Sequence, residues 1–121
     1  MAAIEAKSFD SPDEVREFTE GKGHADLISI AGRSIGRATF EPGWRWSNNV
    51  KPLAGTDSCQ THHLGYVLSG HMRVWADDGT EAEAKAGDVF MIEPGHDAEV
   101  VGDETCVTLE FGDAASYARP S

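Results

Sequence analysis

Residues 58–70 read SCQTHHLGYVLSG: a cysteine, two adjacent histidines, and then an apolar run that ends on glycine. HLGYVLSG has the aromatic and β-branched content of a strand, and Gly70 closes it as a turn residue. HMRVWA (71–76) follows as a second strand. DDG (77–79) then turns the chain into TEAEAKA, because an Asp-Gly pair supplies the positive φ that a tight hairpin needs. AGDVFMIEPG is a further strand running into a turn, and DAEVVGDE and TCVTLEFG finish the body. Upstream, DLISI (26–30) and RSIGRATFE (33–41) read the same way. Roughly eight to ten short strands at regular spacing argue for an all-β sandwich or barrel. Closing antiparallel strands into a barrel removes exposed edges and leaves a mouth and an interior that can hold a ligand.

One segment breaks the pattern. SPDEVREF (11–18) reads as a short helix, with Ser11 as N-cap, Pro12 in the first turn and Glu14 completing a capping box. The expected organisation is therefore an N-terminal segment with a short helix over 1–24, a β-barrel over 25–112, and a tail over 113–121 that is either a helical turn or frayed.

The bulk properties bound the function. At 121 residues the chain fits one domain with one core. Acidic residues outnumber basic ones 21 to 10, and a net charge of −11 repels phosphate backbones, which argues against nucleic acid. Cys59 and Cys106 are too few for a secreted disulfide framework. No basic segment leads into an apolar run at the start, and no apolar run approaches the ~20 residues that span a bilayer. These features lead us to expect a cytoplasmic protein without a membrane partner.

Two blocks in this order resemble the cupin superfamily. HLGYVLSG matches the second half of the first cupin motif, with Gly70 as its closing glycine, and GDVFMIEPG (87–95) matches the second motif. The intervening HMRVWADDGTEAEAKA is what a cupin hairpin needs, and the match covers about residues 42–111. More narrowly, PGWRWS, GTDSCQ and PGHDAEVVGDE resemble a group of small bacterial cupins of unassigned function. The resemblance implies a single-domain cupin (jelly-roll) β-barrel, and cupins of this size often pair through their N-terminal strands into a homodimer.

The ligand positions depart from that pattern. The cupin glutamate position holds His63, the two positions of His-x-His hold Asp57 and Cys59, and the last histidine position holds Ala98. His96 lies two residues before Ala98, and two residues along a strand return to the same face. Cys59, His63 and His96 would offer one thiolate and two imidazoles, a set that suits Zn²⁺ first and Fe, Cu, Ni or Mn less specifically, with Asp57 available as a fourth contact. The other reading is a metal-free pocket, in which Cys59 packs as a small apolar residue and the histidines orient a ligand or a loop.

The remaining candidates are ranked by face. His62 points away from His63 in a strand. His71 after its turn and His24, in the loop EGKGHAD before the first strand, are expected at the surface, and Cys106 is expected to pack without a role, facing away from Val107, Leu109 and Phe111. Trp44 and Trp46 share a face if GWRWS is extended, beside a polar loop, SNNVKPLAGT, that could lid the mouth. With Tyr66 and Trp75 they are the candidate ligand-binding aromatics; core or interface packing is the equal alternative. Glu93, near the mouth, is a candidate general base. Two functions stand at this point: a small-molecule-binding cupin with or without a divalent metal, and a metal-dependent dioxygenase, isomerase or lyase acting on a small organic acid or aromatic compound.

Overall fold

The computed structural model describes residues 3–111 and 114–118. Nine strands occur among them: β1 (Glu14–Glu17), β2 (Gly23–Ile30), β3 (Arg33–Phe40), β4 (His63–Ser69), β5 (His71–Ala76), β6 (Glu81–Lys85), β7 (Val89–Ile92), β8 (His96–Val100) and β9 (Cys106–Glu110). They form a six-stranded sheet, ordered β1-β2-β3-β9-β4-β7, and a three-stranded sheet, ordered β6-β5-β8. Every pairing is antiparallel, as in a jelly roll. No helix among the described residues is long and apolar enough to cross a membrane.

Alternation along the strands sorts the side chains. On β4, His63, Gly65 and Val67 are buried while Leu64, Tyr66 and Leu68 are exposed; on β8, His96, Ala98 and Val100 are buried. Phe18, Phe40, Trp44 and Tyr117 meet between the sheets, with Phe40 and Trp44 ring centroids 4.4 Å apart and Phe18 stacked on Phe40 at 5.5 Å. Each such side chain contributes roughly 1.5–3 kcal/mol by leaving water. The β5–β6 hairpin turns at Gly79, whose φ is +93°, as the Asp-Gly pair requires. β6 lies at a sheet edge and carries Glu81, Glu83 and Lys85 exposed, charges that discourage pairing with another sheet.

Three expectations need correction. SPDEVREF is not a helix: residues 14–17 form β1 and pair with β2, from Glu14 opposite Leu27 to Glu17 opposite His24. The Asp13 amide donates to the Leu27 carbonyl, and its carboxylate accepts from the Ser29 amide and Lys7. A two-turn helix cannot cover its own nucleation cost, whereas the β2 edge offers a full set of partners. His24 belongs to β2 rather than a loop and stands 3.4 Å from Asp26. Residues 46–54, expected in part as a lid loop, make two helical turns, α1 (Trp46–Asn49) and α2 (Lys51–Ala54), with Val50 and Asn49 fully buried. Asn49 fixes them: its side-chain oxygen accepts from the Arg45 amide and its NH₂ donates to the Thr19 carbonyl. In the expected tail, residues 114–116 form a 3₁₀ turn and Tyr117 is buried; residues 112, 113 and 119–121 lie outside the described ones.

Candidate metal centre

Cys59 has no strand of its own but is stitched to the start of β8. Its amide donates to the His96 carbonyl at 2.7 Å, and the Gly95 amide donates back to the Cys59 carbonyl at 2.7 Å. His96 is on the three-stranded sheet and His63 on the six-stranded one. The two sheets thus bring together three buried side chains, and one donor atom from each of Cys59, His63 and His96 lies within 4.8 Å of the other two. The imidazoles meet edge to face, with centroids 5.0 Å apart.

The hydrogen bonds fix which nitrogen each ring presents. His96 Nδ1 lies 2.8 Å from the Glu93 carbonyl, which only accepts, so Nδ1 carries the proton. His63 Nδ1 lies 2.8 Å from Glu110 Oε1 and donates to that carboxylate. In the neutral rings both lone pairs are then on Nε2, and His63 Nε2 is the atom facing Cys59 Sγ, at 3.7 Å. An imidazole anchored through Nδ1 by a carboxylate or carbonyl, with Nε2 free, is the arrangement that supports metal-bound histidines. One thiolate and two such imidazoles fit a zinc-like ion.

Without a metal, the same contacts reorganise the protons. Burial pushes the Cys59 thiol up, but hydrogen bonds from His63 and His96 outweigh it and hold the thiol at about 6. Burial disfavours charge on His63 too, yet Glu110 and Cys59 together raise it to about 10. Cys106, buried with no such partner and beside the charge of Glu104, is pushed up to about 11.

A cavity of about 40 Å³ adjoins the cluster, lined by His63, His96, Trp44, Trp46, Thr108 and Glu110 among mainly apolar side chains. Cys59 is not part of this wall but contacts His63, which is. Trp44 and Trp46 are buried in the core and line it, although Trp46 opens α1 and does not extend a strand. Tyr66 and Trp75 do not line it. Tyr66 alternates to the outer face of β4, and Trp75 lies against the guanidinium groups of Arg45 and Arg73, each 5.0 Å from its ring centroid. Asp57 is fully exposed near Lys51, which removes it as a fourth ligand, and the Glu93 side chain is exposed. His62 lies outside the cluster and His71 pairs with Glu83.

Two residues of the site escaped the sequence. Glu110 and Tyr117 are both buried against His63, Glu110 through its carboxylate and Tyr117 through its ring at 5.2 Å. Glu110 has room because its neighbours across β3 and β4 are Gly36 and Gly65. That signal appears only once the register is known.

The Cupin domain family profile matches residues 55–114, which contain all three cluster residues and Glu110. The chain belongs to the cupin superfamily. Its fold is similar to that of a Vibrio parahaemolyticus protein of unknown function, at TM-score 0.60 and 15% identity, covering 80% of this chain and 95% of that one. It is also similar to an S161A mutant of Bacillus subtilis oxalate decarboxylase, at TM-score 0.62 and 16% identity, over 95% of this cupin and 31% of that chain. A third similar structure is Fe(II)-HppE bound to an alternative substrate, at TM-score 0.60 and 8% identity, covering 91% and 60% of the two chains. These likenesses concern the fold alone. No curated protein matches the sequence.

Proposed function

We propose that this cupin is a small-molecule-binding protein whose cavity holds one divalent metal, zinc first, on Cys59, His63 and His96. The observation that carries the reading is the pair of anchored imidazoles, each committed through Nδ1 and presenting Nε2 in a buried cluster with a thiol. A reducing cytoplasm suits a thiolate ligand. Untagged protein purified without chelator should contain about one equivalent of metal per chain by plasma mass spectrometry. Cys59→Ala and His96→Ala should each reduce this to a small fraction while leaving the fold intact. Glu110→Ala, which frees His63 to rotate, should weaken metal affinity by roughly 10–100-fold. A metal-free protein that also fails to take up Zn, Fe, Cu, Ni or Mn would defeat the reading.

A second reading is a metal-dependent enzyme: a dioxygenase, isomerase or lyase. It is favoured by the exposure of Asp57, which leaves three protein donors, two of them lining the cavity. A fourth position left to solvent or ligand is the mark of catalytic rather than structural sites. A metal there would polarise a carbonyl or activate a water. The chain's own contribution would be to hold His63 in one orientation through Glu110 and to exclude bulk water with Trp44 and Trp46. Turnover of a bound compound by the metal-loaded protein, lost in Cys59→Ala, would separate this reading from simple binding.

A further inference from the structure

Three buried polar atoms have no hydrogen-bond partner among the described residues: Trp44 Nε1, Thr108 Oγ1 and Glu110 Oε2. All three residues line the one cavity beside the metal cluster. Leaving a buried polar atom unpaired is costly, so three around one space point to an occupant that pairs them. Their chemistry is complementary. The indole N–H only donates, a carboxylate oxygen only accepts, and the threonine hydroxyl does either. The occupant must therefore carry at least one acceptor and one donor on an apolar body, because the rest of the wall is mainly Val67, Met72, Val74, Phe90 and Ile92.

Charge narrows the class. No lysine or arginine is among the described residues that line it. A divalent ion with the Cys59 thiolate and the Glu110 carboxylate is already neutral. An added carboxylate would be an uncompensated charge in an apolar wall, which is expensive. Without the ion the balance is more negative still. Size narrows it further: about 40 Å³ has room for roughly three waters.

We infer that the cavity takes a small neutral hydroxy-carbonyl compound or diol in preference to a carboxylic acid, its oxygen accepting from Trp44 and its hydroxyl donating to Glu110. This deepens the binding reading above and rests on it. The inference also separates this cavity from one built for organic acids, which would set a cationic side chain against the carboxylate.

The probes are hydroxyacetone and lactate, titrated separately into metal-loaded and metal-free protein. The readout is the indole N–H resonance that Trp44→Phe removes. Hydroxyacetone should shift that resonance saturably, and lactate should bind at least ~10-fold more weakly. Thr108→Val, which keeps the shape, should weaken hydroxyacetone by roughly fivefold. Equal or tighter binding of lactate would overturn the inference. Xenon serves as an apolar control. If xenon perturbs the Val67 methyls while hydroxyacetone leaves the Trp44 signal unmoved, the cavity stands and the polar class fails. If neither probe enters, the binding reading fails with it. Metal content is measured independently, so a metal-free protein that still binds hydroxyacetone would remove the metal and keep the ligand class.

Discussion

Gly65→Ala should be among the most damaging single substitutions in the protein, lowering stability by roughly 3 kcal/mol or more. A Cβ at Gly65 would lie 2.1 Å from the Leu109 carbonyl oxygen and 2.7 Å from the Phe90 ring. The first of these is backbone of the paired strand, so no rotamer relieves it; β4 and β9 would have to separate. The same Cβ would sit 3.1 Å from Glu110 Oε2 and push the carboxylate that anchors His63. The variant should therefore lose stability and metal affinity together. Gly79→Ala is the control. It has a positive φ of +93° but open space around the added carbon, so it should cost only about 1–2 kcal/mol of backbone strain and leave metal affinity unchanged. Chemical denaturation of the two variants beside the parent, with zinc titrations of each, checks both. A Gly65→Ala protein as stable as Gly79→Ala would mean that the β4–β9 pairing is misplaced.

The second large effect is electrostatic. In metal-free protein the two cysteines should titrate far apart, Cys59 near 6 and Cys106 near 11. The ultraviolet absorbance of thiolate should rise in two steps as pH increases. The first step belongs to Cys59, because burial, which raises both thiols, is overcome there alone by the hydrogen bonds from His63 and His96. Below pH ~6 the Cys59 thiolate protonates and its pairing with His63 is lost. His63→Ala should move the first step upward, because burial then acts with less opposition. At neutral pH a small alkylating reagent able to enter the cavity should label Cys59 and spare Cys106. A single step above pH ~9, the ordinary thiol range, would show that the cysteine and the imidazole do not pair.

The strands were legible because turn residues and alternation are local properties. The Asp-Gly turn at Gly79, the HLGYVLSG strand and the shared face of His96 and Ala98 all followed from spacing, and the structure keeps them. Strand β9 shows where such reading stops. Its two faces are Cys106, Thr108 and Glu110 against Val107, Leu109 and Phe111. Hydropathy alone would put the second set inside, but Thr108 and Glu110 are the buried ones and Phe111 is exposed. An interior that needs a carboxylate for His63 overrides the pattern, and that need arises between strands 47 residues apart. The N-terminal segment departs from its local signals for a related reason: its capping pattern is genuine, yet eight residues of helix compete poorly with the exposed edge of β2. Tyr117 lies in a short polar tail with no periodic signal of its own; what places it is long-range, Arg16 on β1 donating to the Ala115 and Tyr117 carbonyls.

One thiolate and two imidazoles, the imidazoles from opposite sheets, are expected to bind a single metal. X-ray absorption at the zinc edge, on zinc-loaded untagged protein, tests it most directly. One sulfur at ~2.3 Å with two imidazole nitrogens at ~2.0–2.1 Å, the sulfur lost in Cys59→Ala, is the predicted spectrum. A first shell of oxygen and nitrogen without sulfur, unchanged by that substitution, would rule out Cys59 as a ligand.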